Sequence, residues 1–328
     1  MRGRDTEYIA VEKGKGGMTG QQIRDIVTDC VFEGDMKFRE PMSRHTSLKI
    51  GGPSDIFAIP ENVASLGRLR DYLQKNDIAV FPLGGGTNIL VKDGGIEGAV
   101  ICFRSFRTIE FLGEDGEYAY LSVGTGTVLQ RLVMYSMEQG YAGLEGLAGI
   151  PGTVGGAICG NAGSFGYEIK DVLVSVDLMG AEGQIQKVCA EDIRFGYRKS
   201  DILPTDMLIR AEIKLGRDKR ADVSARFENF LRVKREKQPI WESSAGCVFK
   251  NPEGLSAGKL IDEAGCKGMR IGDVVVSTIH ANFFINTGKA CAVDFIRLMH
   301  EVAGRVRNAF GITLEPEIKI VGRENGNR

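Results

Sequence analysis

Two glycine-rich segments and three isolated polar residues are the parts of this chain best suited to chemistry. The first segment, Gly84-Gly85-Gly86-Thr87-Asn88, follows a short apolar run and precedes Ile89, Leu90 and Val91. Consecutive glycines let backbone N–H groups converge on an anion without Cβ interference, forming the concavity that holds phosphate oxygens. A tight turn between strands would use the same residues. No GK[ST] follows and the GxGxxG spacing is absent, so this is neither a Walker loop nor a Rossmann fingerprint.

The second segment, residues 143–166, reads GLEGLAGIPGTVGGAICGNAGSFG, with ten glycines between Gly140 and Gly166. Such density makes a poor helix or strand, yet Leu144, Leu147, Ile150, Val154 and Ile158 are apolar enough to bury it. A buried, nearly side-chain-free backbone needs partners for its N–H and C=O groups. A flat or extended cofactor could supply them, and the two segments together suit one extended dinucleotide; close packing of helix on sheet is the plainer use. Five triplets with a single Pro151 cannot sustain a collagen helix.

The three polar residues are Arg198 in FGYRKS, Cys247 in SSAGCVFKNP and Glu317 in LEPEIKI. Arg is permanently charged and suits an anionic or enolate oxygen. A thiol can be a nucleophile, a proton donor or a small buried hydrophobe. A carboxylate opening a C-terminal strand gains interest only if it faces the same cavity as Arg198 and Cys247. His280 and His300 could reach the thiol only through the fold, so a thiol protease gets no support.

These residues must be positioned by many short elements. A strand over 55–60, a helix over 62–75 with Val63, Leu66, Leu69 and Leu73 at three-to-four spacing, and a strand over 79–83 run directly into the first glycine loop. Strands follow at 98–102, 108–112 and 118–123, then a helix at 128–138 closed by Gly140. Further strands fall at 172–179, 185–188 and 207–215, a charged helix runs from Asp222 to before Pro239, and an amphipathic helix covers about 290–310. The fold class is α+β. A rise in charge over 216–237 places a domain boundary near residue 218. Residues 1–20 read as a polar leader, followed by a short helix over 21–32.

Composition narrows the function. With 42 basic against 43 acidic residues, the chain gains no electrostatic support for nucleic-acid or membrane-surface binding. Seven singly spaced cysteines suggest neither a disulfide framework nor a metal site. No run of about 18 apolar residues occurs, and the expected location is the cytoplasm. Glycine, 44 of 328 residues, has about twice its usual share of roughly 7%.

In this order the segments resemble the UDP-N-acetylenolpyruvoylglucosamine reductase family, flavoenzymes of bacterial peptidoglycan precursor synthesis. RHTSLKIGG from Arg44, the GGGTN loop with Asp93 and Gly94, GIPGTVGGAICGNAG, FGYRKS, GCVFKNP, AGKLIDEAGCKG from Ala257, His280-Ala281-Asn282-Phe283 and LEPE carry the likeness over residues 38–322. The resemblance implies an FAD-binding region of the vanillyl-alcohol-oxidase type, with subdomains at 38–105 and 106–217. It also implies an α+β substrate-binding domain at 218–328, after a leader and short helix at 1–37.

By the same resemblance, Gly84, Gly85, Gly86, Thr87, Asn88, Gly152, Thr153, Gly155, Gly156, Ala157 and Asn161 hold a non-covalent FAD. FAD takes hydride from NADPH and passes it to the methylene carbon of the enolpyruvyl ether, and the adjacent carbon is then protonated. Arg198 and Glu317 stabilise the enol intermediate, Cys247 stands at the proton-donor position, and Lys237 and Asn251 hold the sugar nucleotide. The commonest donor in the family is Ser. A thiol, with a reference pKa near 8.5, is the stronger acid and still protonated at neutral pH. Only 48 residues separate Arg198 from Cys247, which implies the type II form without the inserted tyrosine loop. A monomer is expected. The alternative is an FAD-dependent sugar or alcohol oxidase of the same fold, often flavin-tethered through His or Cys. Thr87 stands at the place of a tethering His, and Cys159 is a candidate anchor. A flavin- or sugar-nucleotide-binding protein without turnover would not need Arg198, Cys247 and Glu317 together.

Overall fold

The computed structural model describes residues 32–180 and 183–324. Most of the short helix expected over 21–32 lies outside them. Three sheets gather hydrophobic cores in chain order. The first contains β1 (Gly34–Pro41), β2 (Pro53–Pro60), β3 (Val80–Leu83) and β5 (Ile96–Cys102), with β4 (Ile89–Val91) leaving it. Its order is β1-β2-β5-β3: β1 pairs antiparallel to β2, and β5 pairs parallel to both β2 and β3. Residues 34–37 therefore belong to a strand, where a leader and short helix were expected. Its alternation is weak because much of β1 is exposed at the sheet edge. Helix α1 (Val63–Lys75) starts where Asn62 accepts the N–H of Ser65, and it buries Leu66, Leu69 and Leu73 as their spacing requires.

The second sheet is antiparallel. Strands β6 (Ile109–Glu114), β7 (Tyr118–Gly124), β8 (Leu173–Met179), β9 (Ile185–Cys189) and β10 (Met207–Arg217) lie in the order β9-β8-β10-β7-β6. Helix α2 (Leu129–Gln139) packs Leu129, Leu132 and Val133 into this core and ends at Gly140, whose φ of +73° is the left-handed C-cap the sequence signals. The second glycine segment crosses the same core, with Leu144, Leu147, Val154 and Ile158 buried and Ile150 only partly so. It forms a 3-10 turn at Glu145–Leu147 and one short α-helix, α3 (Val154–Cys159).

Helix α4 (Arg220–Lys237) was expected to open the C-terminal domain. Its inward contacts go instead to the second core's glycine segment: Arg226 to Glu145, and Lys234 to the Ala148 carbonyl. Phe227 packs against that core as well. Charge along α4 marked its solvent face, while its tertiary partner was set by three or four residues on the other face.

The third core combines α5 (Ala257–Glu263), β11 (Arg270–Ile271), β12 (Val274–Val276), β13 (Phe284–Asn286) and α6 (Ala292–Phe310). Leu48, Ile50 and Leu90 from the N-terminal part also sit in it, and Asn286 donates to the Leu48 carbonyl. The last strand, β14 (Lys319–Val321), pairs parallel with β4. Asp93 reinforces that junction by accepting the N–H groups of Ala292 at 2.9 Å and Val293 at 3.1 Å, at the start of α6. No helix among the described residues is long and apolar enough to cross a membrane.

The Asp93 carboxylate thus caps a helix 199 residues away in sequence, with its charge at the positive end of the helix dipole. We predict that Asp93→Ala destabilises the protein by about 1–2 kcal/mol, the range of a lost N-cap. Urea unfolding of FAD-loaded protein measures this, and an unchanged midpoint would show that the cap contributes nothing.

Candidate active site

The two glycine-rich segments meet. Gly84 lies against Thr153, and a Cβ on Gly85 would come within 2.9 Å of the Gly152 Cα. Thr87 Oγ1 donates to the Pro151 carbonyl at 3.3 Å. Gly86 has a φ of +63°, and its missing side chain would collide with the His45 carbonyl. The RHTSLKIGG segment is thus the floor under the loop, with His45 stacked on Phe57 and bonded to Glu40. Thr153 caps α3 by accepting the Gly156 N–H, while Gly155 packs on Thr125 and Ala157 is buried.

Gly85, Asn88 and Gly156 remain exposed along this seam. The N–H groups of Gly85, Gly86, Thr87 and Asn88 donate to no protein acceptor among the described residues. Unspent donors on a side-chain-free loop fit a diphosphate.

Most polar backbone groups of residues 143–150 find their partners within the protein. Gln130 donates to the carbonyls of Leu147 and Ile150 and accepts the Gly149 N–H. Lys234 Nζ donates to Ala148 O at 2.6 Å, and Glu145 accepts the Gly143 N–H while pairing with Arg226. Only the 151–157 stretch faces the GGGTN loop, so the expectation that a ligand satisfies the whole glycine segment is narrowed to that half.

Arg198 occupies the two-residue turn of the hairpin Phe195–Gly196 with Lys199–Ser200. Its φ of +57° is left-handed backbone, which costs a non-glycine residue about 1–2 kcal/mol. The strain is offset by contacts that hold the turn. Fully buried Asn161 donates from Nδ2 to the Gly196 carbonyl at 3.1 Å, leaving its Oδ1 without a partner among the described residues. Arg198 Nε meets Glu317 Oε1 at 3.1 Å, with both side chains mostly buried.

Cys247 and Glu317 are brought together by backbone pairing. Glu317 N–H donates to the Val248 carbonyl at 2.8 Å, Phe249 lies opposite Pro316, and Lys250 N–H donates to the Glu315 carbonyl. Asn88 Nδ2 reaches the Glu317 carbonyl at 3.3 Å, tying the GGGTN loop to the segment just before β14. The three residues proposed for chemistry thus converge where the glycine loop ends.

Burial raises the Glu317 pKa against the pull of Arg198 and Lys250. Cys247 is pushed up to about 12, first by burial and then by the Glu317 charge, while Arg198 and the Asn282 amide oppose the shift. The thiol is therefore a weaker acid than free cysteine, and it stays protonated at neutral pH as its reference value led one to expect. It holds its proton more firmly.

Lys237 is exposed at the end of α4, and exposed Asn251 uses Oδ1 to accept the Ala257 N–H at the start of α5. No contact joins the two among the described residues. Sequence reasoning missed Lys234, one turn earlier: it is buried, and burial with the Arg198 charge lowers its pKa to about 8. Its signal was a lysine continuing the inward face of α4 after Phe227 and Phe230. Cavities on the outer face of α4, around Leu231 and Arg235, and on the open face of the second sheet, around Ser122 and Arg210, lie apart from these residues.

Family models place this geometry. Residues 54–188 match an FAD binding domain, and residues 238–321 match the UDP-N-acetylenolpyruvoylglucosamine reductase C-terminal domain. The UDP-N-acetylenolpyruvoylglucosamine reductase of Geotalea uraniireducens is 39% identical over 89% of this chain and 96% of its own length. The chain belongs to the UDP-N-acetylenolpyruvoylglucosamine reductase family. A reductase of the same name from Desulfosudis oleivorans is 41% identical over 89% of this chain and 96% of its own. The crystal structure of the reductase from Thermus caldophilus superposes with a TM-score of 0.75 at 34% identity, covering 88% of this chain and 99% of that one. The α+β class, with an FAD-binding region and a C-terminal reductase domain, agrees with the sequence-based expectation.

Two outcomes test the site's physics. Gly86→Ala should abolish FAD retention or soluble expression, because left-handed backbone and the His45 carbonyl both oppose a Cβ; retained flavin would show that the loop yields. Alkylation of Cys247 by iodoacetamide, followed on its tryptic peptide, should keep rising with pH up to about pH 10. A simple thiol levels off near pH 9. A plateau at that pH would place the thiol in a solvated setting.

Proposed function

We propose that this chain reduces UDP-N-acetylenolpyruvoylglucosamine to UDP-N-acetylmuramate in peptidoglycan precursor synthesis, with non-covalent FAD and with NADPH as hydride donor. The observation that carries the reading is the Arg198–Glu317 pair bonded beside the Cys247 segment through Val248 and to the glycine loop through Asn88. Bound FAD supplies the hydride for the enolpyruvyl double bond.

The residues of the chain do the rest. Gly84–Asn88 and the facing stretch Gly152–Ala157 offer backbone to the cofactor, and Asn161 holds the turn beneath Arg198. Arg198 spends Nε on Glu317, which leaves its terminal N–H groups to face an oxygen that becomes negative in the enol. Glu317 keeps the guanidinium in that plane. Cys247 gives its proton to the carbon next to the carboxylate, forming a C–H bond as the S–H bond breaks. Lys237 and Asn251 are assigned to the nucleotide phosphates and sugar at the exposed rim.

We assign the first two cores to FAD and the third to the substrate, as a cytoplasmic monomer of the type II form. The 48 residues between Arg198 and Cys247 are occupied by β10, α4 and their connections. Against a tethered oxidase, no histidine lies in the GGGTN loop, and burial raises the Cys159 pKa, keeping that thiol in the less nucleophilic form. Acid precipitation should leave the flavin in the supernatant; flavin in the pellet would favour the oxidase.

Arg198→Lys should lose at least about 100-fold in turnover while keeping FAD, because an ammonium cannot bond Glu317 and a developing oxyanion in one plane. Unchanged turnover would remove Arg198 from the chemistry. Stopped-flow spectroscopy separates the half-reactions for Cys247. Cys247→Ala should leave flavin reduction by NADPH intact and slow reoxidation by the enolpyruvyl substrate by about 100-fold or more. Cys247→Ser should retain much of the rate. Equal slowing of both half-reactions would point to damage at the flavin site.

A further inference from the structure

Asn282 lies in the HANF stretch and is 1% exposed. Its side chain behaves as an extra strand residue toward the segment that carries Cys247. Oδ1 accepts the Phe249 N–H at 2.9 Å, and Nδ2 donates to the Phe249 carbonyl at 2.7 Å. Its own carbonyl accepts the Val248 N–H at 2.8 Å, while Cys247 pairs with Phe283 across an antiparallel bridge. The backbone partners fix the orientation of the amide, since only oxygen can take the Phe249 N–H and only nitrogen can serve its carbonyl.

The far edge of the segment is held by Glu317, through its bond to the Val248 carbonyl. Cys247 is therefore clamped between Asn282 on one side and Glu317 on the other. Asn282 itself is seated by a bond from its N–H to His280 Nδ1 at 3.3 Å. An asparagine amide has two N–H donors, and the Phe249 carbonyl takes one. Beyond these backbone bonds, the Asn282 amide is among the groups that oppose the rise of the Cys247 pKa.

We propose that Asn282 is a positioning residue for the Cys247 proton donor: it fixes the strand that aims the thiol and turns its remaining amide N–H toward the sulfur. The inference rests on the role given to Cys247 above. When the S–H bond breaks, the proton forms the new C–H bond of the product and the electron pair stays on sulfur. A fixed N–H donor strengthens as that charge develops, since hydrogen bonds to an ion exceed those to a neutral group. The sulfur then regains a proton from water. Glu317, a carboxylate on the opposite side, works against the same charge, so the donor has a specific cost to offset.

A double-mutant cycle tests this. Asn282→Ala should leave flavin reduction by NADPH within about 2-fold and slow reoxidation by the enolpyruvyl substrate at least about 10-fold. In a Cys247→Ala background the same substitution should add less than about 2-fold, because Asn282 acts through the thiol. Full additivity, or equal slowing of both half-reactions, would reduce Asn282 to a structural residue and overturn the proposal. If Asn282→Ala fails to bind FAD, Asn282→Asp keeps the shape and the Phe249 N–H bond while replacing the donor with an anion.

Alkylation provides a readout that needs no substrate. Modification of Cys247 by iodoacetamide at pH 9 should fall at least about 5-fold in Asn282→Asp, and an unchanged or faster rate would overturn the proposal. The cycle also distinguishes the two readings. No slowing in Cys247→Ala alone would sink the proton-donor role itself, whereas slowing there with normal Asn282 variants would sink only the positioning role.

Discussion

The parallel pairing of β4 with β14 is the contact on which the site depends. Three residues after the GGGTN loop pair with three residues after the LEPE motif, in register from Lys319–Ile89 to Val321–Val91. Because a strand pair fixes both position and twist, the loop and Glu317 are held as one body. Asn88 adds a side-chain bond across the junction, and Asp93 caps α6 just beyond it. Leu90 faces the third core, whereas Ile89 and Val91 belong to a core of the first sheet, so the same short strand is buried from both sides.

Around that junction the protein gathers charge in a poorly solvated place. A buried ion pair such as Arg198–Glu317 gives weak net stability, since desolvation consumes much of the attraction. Its value lies in orientation. Burial, and after it the Glu317 carboxylate, keeps the nearby thiol protonated, while burial, and after it the Arg198 charge, lowers the affinity of Lys234 for a proton. The Ala148 carbonyl, at 2.6 Å, holds that ammonium in place. The arrangement suits a site that must meet an anionic substrate with fixed donors and deliver one proton to carbon.

Glycine serves two purposes that composition alone merges. Along 143–150 the backbone runs through the core and is satisfied by Gln130, Lys234 and Glu145. The 84–88 loop presses against 151–157, and the N–H groups of Gly85 to Asn88 find no protein acceptor among the described residues. The plainer reading, close packing, fits residues 143–150, while the unspent donors of Gly85 to Asn88 suit the functional one.

The amino-acid sequence by itself determined the local elements, because three-to-four spacing, a cap such as Asn62 and a C-cap glycine act over a few residues. It also named Arg198, Cys247 and Glu317, whose motifs are short and ordered. Only the tertiary structure decided that α4 packs on the second core, that Asp93 caps a helix far along the chain, and that Asn161 and Asn282 hold the strands and turns of the site. The acidity of Cys247 was decided there as well. Its reference value reflects the thiol in water, whereas the folded chain surrounds it with apolar atoms and a carboxylate from Glu317, a neighbour 70 residues away in sequence that only long-range pairing brings near.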